Sequence, residues 1–259
     1  MSGFVGVWRA LLVAAVVVVG VIGCGGDDGN PTVNNGGNNN GGNNNNNGGD
    51  NNDVLVNIPA VDPSTVVRST FTDTRDGAVY KTVKIGEQTW MAENLNYFTD
   101  SSSCYDNADS NCVKYGRLYV WTAAKKACPA GWKLPDSVDW EKLNVSAGSR
   151  DWSMTGSIFI SWYQAARKLK STSGWKDHSD ESANGTDDYG FSALPGGGYW
   201  IEYDVGETYA HVGERGMWWQ ITQRSSNKSK YWGLSSIFSQ SDFEWDDYSY
   251  RFSVRCLKN

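Results

Sequence analysis

The chain has 259 residues and a formal net charge of -6, with 13 Trp, 13 Tyr and 29 Gly beside only two His, His178 and His211. An acidic balance without any Lys/Arg-rich run excludes the phosphate-binding surface of a nucleic-acid binder, so nucleic acid is not an expected partner. Catalytic triads and zinc sites need His or thiolate, and this inventory leaves little to build them from.

The N-terminus reads as a targeting segment. Arg9 precedes an apolar run from Ala10 to Gly23, which has signal-peptide length and is short for a membrane span. Residues 1–23 are therefore expected to be absent from the mature protein. Val21-Ile22-Gly23-Cys24 resembles the bacterial lipobox, which implies lipidation of Cys24 and a membrane partner through that anchor. Three acyl chains at roughly 0.8 kcal/mol per buried CH₂ would hold firmly. Gly25 in place of Asp after Cys24 favours onward export, so the expected location is the outer membrane, facing the cell exterior. Residues 24–53 are almost wholly Gly, Asn and Asp after Cys24, including Asn43 to Asn47 unbroken. Such a tract has almost no apolar surface to offset its ordering entropy and is expected to be a tether with a mean reach of roughly 30 Å.

Residues 54–70 carry Pro59 and Pro63 and read as an extended lead-in to a domain over 71–259. Asp73 to Gly77 predicts a turn. It has a loose likeness to a calcium loop, but Arg75 stands where a second oxygen ligand is needed. Val79 to Ile85 alternates like a half-buried strand, and Gly86-Glu87 turns it into a hairpin with Gln88 to Met91.

Cys104 and Cys112 bound a polar loop, and their spacing in an exported chain suits a local disulfide. Tyr115 to Val120 reads as a strand and Trp121 to Ala127 as a short helix. The stretch Cys128-Pro129-Ala130-Gly131-Trp132-Lys133-Leu134-Pro135-Asp136 combines a turn, a cysteine and an aromatic wedge. Asp136 can cap a helix over Ser137 to Leu143 by accepting from the amide of Asp139. If Cys128 pairs with Cys256, the middle of the fold is tied to its last strand.

Gly156 to Lys170 shows helical spacing in Ile158, Trp162, Ala165, Ala166 and Leu169 and predicts a helix. The remainder reads as aromatic strands near Gly216 to Gln223, Ser229 to Ser235 and Tyr248 to Leu257, joined by polar loops.

Four stretches carry a resemblance: Tyr80 to Leu95, Tyr115 to Tyr119, Cys128 to Pro135, and Gly185 to Gly197. In that order they are similar to signatures of the Fibrobacter succinogenes major paralogous domain. The resemblance implies an α+β, C-type-lectin-like domain of short antiparallel strands and a few helices, stapled by disulfides, on bacterial surface proteins of unassigned activity. It also implies that the terminal strands pair, Val79 to Ile85 beside Arg251 to Leu257, and that a long-range Cys128–Cys256 disulfide locks the last strand. Met217-Trp218-Trp219-Gln220-Ile221-Thr222 departs from the Phe-Trp-Ser-Ser usual there.

Flat aromatic faces stack on sugar C–H surfaces, so an exported Trp-rich domain invites a carbohydrate ligand. Trp90, Trp121, Trp132 and Trp140 lie in the family-like motifs and are expected in the core. Trp200, Tyr203 and Trp245 fall in the variable loop region and, with Asp246 and Asp247, are the candidate ligand-binding residues. Asp242, Glu244, Asp246 and Asp247 crowd one loop, which does not set two carboxylates across a glycosidic bond. The Glu-Pro-Asn, Gln-Pro-Asp and Trp-Asn-Asp motifs of calcium lectins are absent, Trp245-Asp246-Asp247 being a weak echo, so no cofactor is expected and calcium has no motif behind it. The expected function is non-catalytic binding of polysaccharide or envelope glycan. The alternatives are an adhesive envelope protein that binds another protein, or a formylglycine-generating type of enzyme, which would need reducible cysteines.

Overall fold

The structure, a computed structural model, describes residues 59–149, 162–163, 165–178, 182–202, 206–237 and 240–259. The anchor, the tether, Cys24 and Tyr203 lie outside the described residues.

Among the described residues the chain is mostly β-sheet with a few short helices. The smaller sheet contains β1 (Val67–Thr72), β2 (Val79–Ile85), β3 (Gln88–Met91), β6 (Trp132–Lys133) and β14 (Leu257–Lys258), in the order β1-β2-β3-β14-β6. The larger one runs β4 (Ser102–Ser103), β5 (Leu118–Val120), β13 (Arg251–Ser253), β10 (Arg215–Gln223), β11 (Lys228–Ser235), β12 (Gln240–Asp247), β7 (Trp162–Tyr163). The hairpin of β8 (Gly196–Glu202) and β9 (Gly206–Val212) joins it through β13. The helices are α1 (Asp109–Tyr115), α2 (Trp121–Ala127), α3 (Ser137–Ser146) and α4 (Ala165–Leu169).

Local signals explain many of these elements. The β2–β3 hairpin turns at Gly86, whose φ of 60° lies in the left-handed region that glycine enters without strain. At the start of α3 the Asp136 carboxylate accepts from the Asp139 amide at 2.8 Å, and the Asp139 carboxylate accepts from the Asp136 amide at 3.0 Å. This reciprocal cap satisfies two donors that the helix cannot. In the turn between β1 and β2, Asp73 is fully buried and takes Nη2 of Arg75 at 2.6 Å. The arginine thus occupies that carboxylate as the turn reading requires.

Both expected disulfides are present, Cys104–Cys112 and Cys128–Cys256. The first staples the middle of α1 back onto the preceding loop. The second ties the end of α2 to the segment leading into β14.

Strand β10 explains the tryptophan pair. Successive strand residues face opposite ways, so Trp218 enters one core and Trp219 the other. Under the first face Trp140 of α3 stacks on Trp232 with centroids 4.5 Å apart, and it also meets Trp90 at 4.7 Å. On the second face Trp219 packs on Phe252 at 4.5 Å, with Trp121 of α2 in the same cluster. At roughly 25 cal/mol per Å² and 150–250 Å² each, a buried Trp contributes about 4 to 6 kcal/mol before the entropy of ordering is subtracted. The four motif tryptophans, Trp90, Trp121, Trp132 and Trp140, are all buried.

Several expectations are corrected. Strand pairing begins at Val67, within the lead-in, because β1 lies along β2 from Val67↔Lys84 to Thr72↔Val79. With β1 on one side and β3 on the other, Val79–Ile85 has no edge left for the C-terminal strand. The C-terminus pairs with β3 instead, at Leu257↔Trp90, and the Met91 and Leu95 amides donate to Cys256 and Val254. Tyr248 to Leu257 is not one strand: Arg251–Ser253 belongs to the larger sheet and Leu257–Lys258 to the smaller. The helix expected over Gly156 to Lys170 is described only as Ala165–Leu169, while Trp162 and Tyr163 pair with Ser241 and Gln240 of β12. The polar loop at Cys112 includes helix α1, so Tyr115 ends a helix and the strand starts at Leu118.

Candidate functional site

The family-like motifs converge on Arg255, which is fully buried. Its Nη2 and Nε donate to Asn94 Oδ1 at 2.6 and 3.1 Å, and its Nη1 donates to the Phe191 carbonyl. Asn94 also accepts from Trp218 Nε1 at 2.8 Å and donates to the Tyr115 carbonyl at 2.8 Å. The guanidinium lies 4.5 Å from the Phe191 ring centroid. Burial lowers its pKa to about 9, while Asp187 and Glu93 oppose that shift. This centre joins three of the family-like stretches, at Asn94, Tyr115 and Phe191, to Trp218 and Arg255, and its polar atoms point at one another. It holds the fold.

Trp200 belongs to β8, not to a loop. Its half-buried ring meets His211 at 5.3 Å and Phe252 at 5.6 Å, with Tyr250 at 6.4 Å. Gly198 makes room for it, because a Cβ there would stand 2.8 Å from the Trp200 ring and 2.9 Å from Phe252. Trp200 thus closes the outer edge of the second core.

Trp245, Asp246 and Asp247 lie on β12, so the crowded acidic loop is a strand. Alternation then separates the three. Trp245 sits opposite Lys230 and Asp247 opposite Lys228, on the face that carries Phe243 and Trp232, whereas Asp246 shares the other face with Asp242 and Glu244. Trp200 is on that other face as well, and β12 lies three strands beyond the β13 partner of β8, about 14 Å at 4.8 Å per strand. Among the described candidates, Trp200 and Trp245 stand apart.

The surroundings of Trp245 combine an aromatic ring with cations and hydroxyl groups. Trp245 is partly buried, with Arg224 at 5.4 Å and Lys230 at 5.6 Å from the ring centroid. Lys230 Nζ donates to Ser137 Oγ at 3.2 Å, which in turn bonds Gln220 Oε1 at 2.9 Å and approaches Thr222 Oγ1 at 3.3 Å. Gln220 is fully buried, and its Nε2 has no hydrogen-bond partner among the described residues. Burial lowers the Lys230 pKa, and Glu141 opposes that; burial raises the Glu141 pKa, and Lys230 opposes that. Lys230, Arg224, Ser137 and Thr222 were not singled out from the sequence. The alternation Lys228, Lys230, Trp232, Leu234 was the signal that could have placed Lys230 beside Trp245.

On the opposite face Asp242, Glu244 and Asp246 form a row. Tyr231 donates its hydroxyl to Glu244, and Arg215 pairs with the same carboxylate at 3.5 Å. Burial, followed by the charge of Glu244, raises Asp242 to about 6. Asp246 is also raised by burial to about 6, although the Asp247 amide bonded to it pulls the other way. No group of three or more His, Cys, Asp or Glu among the described residues is placed to hold a metal ion.

A disulfide-stapled domain of two sheets, its motifs joined at a buried arginine, is the class this arrangement defines. The Fibrobacter succinogenes major domain matches residues 83–258, and the chain belongs to that family. No curated protein and no solved structure matches it.

Proposed function

We propose that this is a non-catalytic binding domain of C-type-lectin-like type that recognises polysaccharide, held at the outside of the outer membrane by lipid on Cys24 and the Gly/Asn tether. Support for a lectin-like arrangement comes from the short antiparallel strands, the C-terminal chain running beside Met91 to Leu95, and the Cys128–Cys256 bridge. Support for the anchor comes from the lipobox-like Val21 to Cys24. It predicts that Cys24→Ala protein lacks acyl mass and leaves the membrane fraction; an acylated variant would overturn it.

The observation that carries the binding reading is the partly exposed Trp245 flanked by hydrogen-bonding groups. A pyranose offers an apolar C–H face to stack and hydroxyls to bond, and this corner supplies a partner for each. The test uses the full-length protein in detergent micelles against a panel of polysaccharides. Trp245→Ala should weaken binding about tenfold or more, as loss of a central aromatic anchor does, with the melting temperature nearly unchanged. Soluble sugar should compete. A Trp245→Ala protein that binds as well as the parent would place the ligand elsewhere or remove it.

A further inference from the structure

We propose that the Trp245 corner takes an acidic polysaccharide, one whose repeating unit carries a uronate carboxylate. This rests on Trp245 being a sugar platform and adds the class of sugar.

Arg224 and Lys230 both stand against the ring. Among the described residues neither has a carboxylate oxygen within 4.0 Å, whereas Arg75, Lys133, Lys176 and Arg215 each do. The nearby acids are engaged elsewhere. Asp247 accepts from the Ser249 amide at 2.9 Å and hydroxyl at 2.8 Å, with Asn227 Nδ2 at 3.4 Å. Asp139 is held by Lys133 at 2.7 Å and by the helix cap, and Asp136 by the same cap. Asp246 faces the other side of the sheet. Glu141 acts on Lys230 from beyond 4.0 Å, and burial disfavours the charge of both.

The corner therefore offers unmet positive charge beside a stacking surface on a chain of net charge -6. A neutral sugar could use the ring and offer its hydroxyls, but it would bring the cations no opposite charge. A uronate uses both: its C–H face lies on the indole while its planar carboxylate matches the fork of Arg224.

The experiment measures binding of the full-length protein in detergent micelles to polygalacturonate and to the same polymer after methyl esterification. The sugar backbone is unchanged, and each carboxylate becomes a neutral methyl ester. The parent should prefer the acidic form about tenfold at low salt, and that preference should shrink as salt rises. Arg224→Gln should remove most of the preference without moving the melting temperature, and Lys230→Gln the rest. Equal affinity for the two polymers overturns the proposal, as does a preference that survives both substitutions. Trp245→Ala separates the two readings. If it weakens binding to both polymers and no charge preference exists, the platform stands and the uronate is wrong. If the parent binds neither polymer nor a neutral xylan, both readings fall.

Discussion

Two places in this domain set a cation against aromatic rings, and they differ in almost everything else. At Arg255 the guanidinium is fully buried over Phe191, and its donors are taken up by Asn94 and by backbone carbonyls. Trp245 is only partly buried, and Arg224 and Lys230 approach its ring without a carboxylate within 4.0 Å among the described residues. A buried charge is tolerated only when its surroundings meet every donor, which makes the first place a device for joining segments. The second retains capacity that the fold does not use. The family-like motifs supply the first place, and strands outside them supply most of the second.

The largest expected effect concerns the covalent tie beside Arg255. Cys128 and Cys256 are 128 residues apart, whereas Cys104 and Cys112 are eight apart. In the chain-entropy treatment, loss of the long bridge by a Cys128→Ser, Cys256→Ser double substitution costs about 4 to 5 kcal/mol, against about 2 to 3 for Cys104→Ser, Cys112→Ser. Denaturant melts of both should show that order. The reverse order would mean that the α1 staple, not the C-terminal tie, is what the domain depends on.

Next comes the arginine itself. Arg255→Met keeps much of the volume but leaves Asn94 Oδ1 and the Phe191 carbonyl without their partner. The expected loss is about 3 to 5 kcal/mol in the same melts, with no direct effect on a ligand at the remote corner. A variant as stable as the parent would show that the apolar packing carries this centre and that the polar joint adds little.

The two candidate tryptophans provide a smaller effect. Trp200→Ala opens the edge of the second core against Phe252 and His211, and should cost about 1 to 3 kcal/mol, less than a fully buried Trp because the ring is half-exposed. Trp245→Ala should change stability by less than about 1 kcal/mol. If both unfold alike, the distinction between a structural and a ligand-facing tryptophan fails.

How much of this was legible in the sequence depended on range. The β2–β3 hairpin, the Asp136 cap of α3 and the Cys104–Cys112 pairing each rest on signals within a dozen residues. They were read as they stand. The Cys128–Cys256 pairing followed from the family resemblance. The β12 strand was missed because Asp242, Glu244 and Asp246 have low strand preference, which hid the alternation with Phe243 and Trp245. The C-terminal stretch looked like one strand because residue pattern alone does not reveal that Arg255 turns inward while the chain passes between two sheets. Trp162 fitted helical spacing equally well as the short strand it forms, and only the partner Ser241 decides the matter. For the site, the choice of Trp245 did not include its cations, since Arg224 and Lys230 meet it through a β-hairpin register that spacing in the chain does not display.

The last expected effect tests the reverse face of the same strand. Asp242 and Asp246 are raised to about 6, chiefly by burial. In the unfolded chain an aspartate titrates near its ordinary value of about 3.9. Between those pH values the folded state binds more protons than the unfolded one, so stability falls as pH rises from about 4 to about 6 and stays lower above that. What these carboxyls contribute is fully present only below about pH 4. Asp242→Asn removes the charge and keeps the shape, so it should leave stability unchanged near pH 4 and raise it by about 1 to 2 kcal/mol at pH 7 to 8, after solvent screening is allowed for. Denaturant melts of parent and variant across that range read the difference directly. The row also contains Glu244, paired with Arg215 and Tyr231, and Asp242 feels the Arg215 charge as well. If Asp242→Asn is instead destabilising at pH 7, attraction to Arg215 outweighs burial, and the acidic row belongs with the Arg255 centre as a joint of the fold.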